Sequence, residues 1–430
     1  MQRKLYTTFA LVLVLLLTVT ACAPQAAETP AATEAPAATE AAATEAAATE
    51  AAATEAVEAA PEDPWGNIVF APGTEVKLAV SSALTAGYAV YGQDMLNGAT
   101  LAAENFGKLK GWDVVVEGGD DQCEGAPGVT VAEKFAADPT VLGVLGPMCS
   151  GTVVAAAVIY NENNMVMISP SSTAIMVTAR GHENVFRTVA NDDLQAEVTV
   201  DFIVNEKGAK KLSLLHDQST YGQGIAEAVA EKFKAAGGEV LALEGITRGD
   251  VDFSAVVSTV LAGEPDAVYW GGMDAEGALL VKQLRDAGFE GVFFGPDGIK
   301  SVPSYVEAAG GAAEGSFMTF GAVGGATGYE EFEAQFVEKF GDKPVAYGPG
   351  TYDAATILLK AADAVATVDA SGNLVIGRKA LSDKVRELPF DGVTGHLEFD
   401  EKGDLKVVSI TVFTATTDDI VPVKTYDFGK

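Results

Sequence analysis

Few side chains in this sequence could do chemistry, and their spacing argues for binding rather than bond-making. His182, His216 and His396 stand singly and far apart. Cys22, Cys123 and Cys149 share no Cys-x-x-Cys spacing. Neither set supplies the close ligands of a zinc ribbon or a multi-histidine centre, so no metal is expected. His216 ends a predicted strand and reads as a satisfied strand-end histidine rather than a base. No Gly-x-Ser-x-Gly elbow or Walker-type loop is present, and Gly222-Gln-Gly224 and Gly348-Pro-Gly350 are only fragments of a dinucleotide motif. No cofactor is therefore expected. Carboxylates abound, but an acid pair for glycoside hydrolysis cannot be picked from sequence, and most read as solvated surface. An enzyme is not expected.

The elements that must carry these residues follow a regular rhythm. Strands are predicted at 76–80, 112–117, 141–145 and 165–168, with helices over 91–106, 129–137 and 151–163 between and after them. The rhythm restarts after Thr188, with helices over 194–207, 223–236, 253–262 and 276–287. Between them fall strands at 211–216, 240–243, 267–270 and 292–294. Later helices fall at 329–340 and 350–365, and later strands at 392–399 and 406–413. Strands alternating with helices of this length predict parallel sheets covered on both faces. Two successive runs predict an α/β protein of two doubly wound, Rossmann-like lobes. Ligands collect at the carboxyl ends of strands in such sheets, so the loops after the strands are the informative ones.

Composition narrows the class further. The chain has 430 residues and a formal charge of −32, which leaves no electrostatic footprint for nucleic acid. Arg3 and Lys4 precede an uncharged apolar run from Leu5 to Ala21. That run fits a secretory signal or, by length alone, a short membrane span. The Val19-Thr20-Ala21-Cys22 end resembles a bacterial lipobox and favours the former. Residues 1–21 then read as a lipoprotein signal peptide, with Cys22 lipidated. Residues 22–64 repeat Ala-Ala-Ala-Thr-Glu and carry nine acidic residues with no basic one. They have no apolar stripe to bury and read as a solvated linker. With Cys22 consumed by lipid, Cys123 and Cys149 remain as one even pair in an exported chain. They form either a disulfide, closing a loop of about 26 residues worth about 3 kcal/mol, or two buried thiols.

The loops, taken in order, carry a resemblance. Tyr91-Gly92, Asp120-Asp121-Gln122-Cys123, Cys149-Ser150, Ser169-Pro170-Ser171-Ser172-Thr173, Thr178-Ala179-Arg180-Gly181 and His216-Asp217 begin the series. Tyr221-Gly222-Gln223-Gly224, Asp250-Val251-Asp252-Phe253-Ser254, Gly271-Gly272, Gly295-Pro296-Asp297-Gly298 and Asp400-Glu401-Lys402-Gly403-Asp404-Leu405-Lys406 complete it. Over roughly 75–410 this resembles the leucine/isoleucine/valine-binding proteins, extracytoplasmic receptors of branched-chain amino-acid ABC importers with the type I periplasmic binding fold. The resemblance implies two lobes joined by a three-strand hinge, with crossings near 190, 320 and 390. Lobe 1 is then expected over 65–192 plus 320–391, and lobe 2 over 193–319 plus 392–430. It also implies a Cys123–Cys149 disulfide.

The resemblance implies roles for single residues too. Ser150 stands between a strand and a helix start, and Thr173 with Ser171 and Ser172 lies in a polar stretch before a short helix. They are expected to hold the ligand carboxylate with hydroxyls and backbone N–H groups, unless Ser150 and Thr173 are helix caps alone. Asp297 stands where the family has Glu and is expected to meet the ammonium, directly or through water, unless it only shapes an Asx turn. Tyr221 would reach the ligand from the second lobe. Tyr91 and Tyr347 would wall the side-chain pocket. Met273 replaces a family aromatic after Gly271-Gly272, which opens the specificity end to aromatic, other apolar or amide-type ligands.

The expected function is capture of a small amino acid, branched-chain foremost, between two lobes and its delivery to a membrane permease driven by ATPase subunits. The expected location is the outer face of the cell membrane, held there by the lipid anchor. A monomer is expected, since lobes that open and close need to be free. The rival readings are a ligand sensor signalling to another protein and an enzyme on the same scaffold.

Overall fold

The structure is a computed structural model, and it describes residues 62–321 and 326–429. The signal peptide, Cys22 and nearly all of the 22–64 segment lie outside the described residues.

The first lobe is built on a six-stranded sheet. From edge to edge its strands are Lys108–Leu109, Trp112–Asp120, Val76–Ser82, Val141–Leu145, Met167–Ser169 and Val185–Arg187. All neighbours pair in parallel except the antiparallel edge strand Lys108–Leu109. Val76–Ser82 and Val141–Leu145 are apolar almost throughout because both faces are covered. On one face Ala79, Val141 and Val144 pack against Val131, Phe135, Val153 and Tyr160 of helices Gly125–Ala137 and Ser150–Glu162. On the other, Leu78, Val80 and Leu142 meet Met95, Ala99 and Leu358 of helices Ala89–Phe106 and Gly348–Val365. These two helices cross closely at Gly98, where a Cβ would lie 2.1 Å from the Gly348 carbonyl oxygen.

The second lobe has a seven-stranded sheet in the order Ile420–Phe428, Val408–Ala415, Phe317–Gly321, Val292–Gly295, Ala267–Gly271, Lys211–His216 and Glu239–Gly245. Its five earlier strands are parallel and its two last ones antiparallel. Helices Asp192–Asp201 and Thr220–Ala235 cover one face through Val198, Ala226, Val229 and Phe233. Helices Ser254–Leu261 and Asp274–Asp286 cover the other through Val257, Val260, Leu280 and Leu284. In each sheet the strand order reverses beside the first strand, between Val76–Ser82 and Val141–Leu145 and between Lys211–His216 and Ala267–Gly271. These switch points are where such sheets take ligands.

Several elements differ from the periodicity reading. Helix Asp192–Asp201 continues as one π turn, Phe202–Glu206, where a single regular helix is expected. The expected strand 392–399 is a hairpin, Phe390–Gly392 with Gly395–Leu397. The Asp353 carboxylate holds its turn by accepting from the Val393 and Thr394 N–H groups, at 2.9 Å each. Strands Asn67–Phe70 and Leu374–Gly377 pair antiparallel and bury Ile68, Phe70 and Ile376. Asp63 falls in the stretch that composition reads as linker. Its carboxylate accepts from the N–H groups of Lys379 and Ala380, each at 3.0 Å, at the start of helix Arg378–Glu387.

Cys123 and Cys149 form a disulfide. Their loops leave Trp112–Asp120 and Val141–Leu145, the two strands that flank Val76–Ser82.

Candidate functional site

A cavity of about 460 Å³ lies between loops of the two lobes, at the carboxyl ends of both parallel sheets. The first lobe contributes Met148, Ser150 and Ser171, together with the Cys123–Glu124 turn. The second contributes Asp217, Tyr221, Arg248, Met273 and Asp297. Tyr347, which precedes helix Gly348–Val365, completes the lining. Of the residues expected at the site, Ser150, Ser171, Tyr221, Met273, Asp297 and Tyr347 therefore meet at one cavity, while Ser172, Thr173 and Tyr91 do not line it.

Asp297 is the hub. Its carboxylate accepts from Gln195 Nε2 at 2.9 Å, Tyr221 Oη at 2.7 Å and Tyr347 Oη at 3.1 Å. It makes no Asx turn of its own, because these partners come from three other elements. Gln195 is oriented in turn by the Thr319 hydroxyl, which donates to Oε1 at 2.7 Å. Burial pushes the Asp297 pKa up, and the three donors oppose the shift. Burial also lifts Tyr221 and Tyr347 well above the usual phenol range, with the Asp297 charge adding to it. Both therefore stay protonated and act as donors. Tyr221 is seated by a close approach: a Cβ on Gly222 would fall 2.3 Å from the Gly271 carbonyl oxygen, so only glycine lets this helix start sit against the strand end.

Asp192, which the sequence reading passed over, is a second buried acid. Its carboxylate is buried beside the Thr173 hydroxyl, and among the described residues no charged side chain pairs with it. Burial and then the Asp297 charge push the Asp192 pKa to about 8, and the nearby Thr173 hydroxyl and Arg187 charge offset only part of that. Asp192 N–H donates to the Thr173 carbonyl at 2.9 Å, which ties the two residues together. In sequence Asp192 looks like any helix-start acid, so nothing local marked it.

The hydroxyl side is equally defined. Ser150 is the first residue of its helix rather than the cap, and its hydroxyl accepts from Ala174 N–H at 3.3 Å. The Ser171 and Ser172 hydroxyls both donate to the Met148 carbonyl at 2.9 Å, which locks this loop to the preceding one. Arg187 fixes the same loop from beneath: Nη1 donates to the carbonyls of Thr173 and Ala174 at 2.8 Å, and Nε pairs with Asp404. Tyr91 does not face the cavity. Its hydroxyl bonds Asp274 of the other lobe, and its ring packs against Tyr347 with centroids 5.6 Å apart.

Among the described residues no cluster of His, Cys, Asp and Glu could hold a metal. Around the cavity the Ser150 and Ser171 hydroxyls of the first lobe stand with the buried Asp297 carboxylate of the second.

Comparison with known proteins gives this arrangement a family. The family model described as "Periplasmic binding protein" matches residues 75–418. The chain belongs to the periplasmic binding protein family. Family members at this level of similarity include an amino acid binding protein of Pseudomonas aeruginosa, 33% identical over 349 residues, which span 79% of this chain and 90% of that one. A Leu/Ile/Val-binding protein homolog 1 of Brucella suis is 33% identical over 345 residues, covering 79% and 90%. Among solved structures, a leucine binding protein from Thermotoga maritima superposes with a TM-score of 0.75 at 28% identity, over 81% of this chain and 98% of that one. The fold is thus the two-lobed type I periplasmic binding protein fold, and the family is one of binding proteins, not enzymes.

Proposed function

We propose that this chain is the extracytoplasmic solute-binding component of an ABC importer and that it takes a small α-amino acid, branched-chain foremost, between its lobes. The observation that carries the reading is the buried Asp297 carboxylate, which lines the same cavity as the Ser150 and Ser171 hydroxyls. A nearby cation favours the charged form of a buried carboxylate. An α-ammonium supplies one, with Tyr221 and Tyr347 holding Asp297 toward it. The α-carboxylate then falls to Ser150, the N-terminus of helix Ser150–Glu162 and the backbone around Ser171, Ser172 and Thr173. Similarity to Leu/Ile/Val-binding relatives supports the same ligand class.

Ligand bridges the lobes only when they are closed, so binding shifts the population toward closure, and the closed form docks on a permease and its ATPase subunits. No bond is made or broken. Strand membership of the two sheets supports crossings near 190 and 320, and the third falls between 390 and Val408, where the second sheet resumes. The lipobox supports anchoring through Cys22 on the outer face of the membrane, and the mechanism supports a monomer. Calorimetry of the purified full chain against the twenty amino acids tests the reading. Saturable binding of leucine, isoleucine or valine, lost in Asp297→Ala, is expected. Absence of binding to every α-amino acid would overturn it.

A further inference from the structure

We propose that the far end of this cavity reads a neutral hydrogen-bonding group on the ligand, such as a carboxamide or ureido group, through Arg248 and Glu124. The proposal rests on the amino-acid reading of the near end. It starts from strand order. In the second lobe Asp297 follows strand Val292–Gly295 and Arg248 follows strand Glu239–Gly245, with Ala267–Gly271 and Lys211–His216 between them. Three strand spacings separate the two loops by roughly 14 Å across the sheet. The first lobe repeats the span: Ser171 follows Met167–Ser169 and Glu124 follows Trp112–Asp120, again with two strands between. All four residues line one cavity. A branched-chain amino acid held at Asp297 ends two or three bonds of about 1.5 Å beyond its α-carbon. It leaves the Arg248–Glu124 end unfilled.

That end is built from polar groups. Arg248 Nε donates to Asp217 Oδ2 at 3.0 Å, and Asp217 is fixed by the Ser219 N–H and hydroxyl at 2.9 and 2.6 Å. The guanidinium is thereby held through one nitrogen. Its Nη1 lies 4.0 Å from Glu124 Oε1 on the opposite lobe, beyond hydrogen-bond length. A donor on one lobe thus faces an acceptor on the other without closing the bond. A carboxamide or ureido group satisfies both, its carbonyl accepting from Arg248 and its N–H donating to Glu124. A ligand carboxylate there would sit beside Glu124 and Asp217, and a ligand ammonium beside Arg248. An apolar end would strip water from the half-buried Arg248 and return nothing.

Calorimetry of the purified full chain tests this with leucine, glutamine, citrulline and homoleucine, the last being the apolar isostere of glutamine. Glutamine and citrulline are expected to bind about tenfold more tightly than homoleucine. Arg248→Ala, and separately Glu124→Ala on its exposed side chain, are each expected to lower the citrulline-to-leucine affinity ratio by about tenfold. Leucine binding with the polar pair no tighter than homoleucine overturns the proposal and leaves the amino-acid reading intact. A ratio unmoved by both variants overturns it as well. Failure of all four ligands to bind overturns the proposal, and the amino-acid reading falls with it only when every other α-amino acid fails as well.

Discussion

The Tyr91 hydroxyl, carried by the first lobe, donates to the Asp274 carboxylate of the second at 2.5 Å, with both residues buried. Asp274 opens helix Asp274–Asp286, directly after Met273 of the cavity lining. The bond joins the two lobes, so under the proposed closure mechanism it forms only in the closed form and adds to whatever the ligand contributes. Tyr91→Phe removes the donor and leaves Asp274 short of a partner on closure. Ligand affinity is expected to weaken about tenfold, the worth of one hydrogen bond to a charged group. Calorimetry reads the affinity, and small-angle scattering of the ligand-free protein should show a larger radius of gyration than wild type. Unchanged affinity and scattering would mean that closure does not use this bond.

Asp192 makes the site sensitive to pH. Its folded pKa of about 8 stands far above the ordinary 3.8. A raised carboxyl pKa means that the folded chain holds a proton which the unfolded chain gives up. Its contribution to stability is complete below about pH 4 and is lost as pH rises through about 8. A ligand ammonium favours the ionised carboxylate, so binding near pH 7 expels that proton. Affinity should climb from pH 5 to pH 8. Calorimetry at pH 7 in buffers of different ionisation enthalpy should detect proton release, and Asp192→Asn should abolish it. Binding with no proton exchange would remove Asp192 from the ammonium site.

Arg187 is a buried cation that holds the Thr173 loop and pairs with Asp404. Arg187→Met strands the Asp404 carboxylate and frees three loop carbonyls, those of Ser172, Thr173 and Ala174. Loss of one partner of a buried pair costs about 3–5 kcal/mol. Urea unfolding should report a loss in that range, and a change below about 1 kcal/mol would show that the network relaxes around the substitution.

The Cys123–Cys149 disulfide closes a 26-residue separation beside the cavity. Reduction, or Cys123→Ser with Cys149→Ser, should lower stability by about 3 kcal/mol on the chain-entropy account. Because the Cys123–Glu124 turn lines the cavity, ligand affinity should fall as well. Calorimetry and thermal melts with and without reductant separate the two effects.

Much of the fold was legible along the chain. Strands at Val141–Leu145 and Lys211–His216 and the helix Tyr329–Phe340 could be bounded by eye, because buried parallel strands are apolar runs and helices have clean stops. Strand Ile420–Phe428 could not, because an exposed edge strand alternates weakly and carries Lys and Asp. Most of the cavity loops were also legible, since they follow predicted strands, but Tyr347 lies between two helices. The finer roles were decided by tertiary structure. Tyr91 opens the first helix like a wall residue, yet its hydroxyl is taken by Asp274, 183 positions later. Asp192 is an ordinary helix-start acid until packing removes its water and sets Asp297 beside it. Arg248 and Glu124 face each other only because two sheets present matching strand orders. Periodicity and turn chemistry are local and can be read from neighbours in the chain. Desolvation and charge pairing depend on which distant residues share a cavity, and only the folded chain decides that.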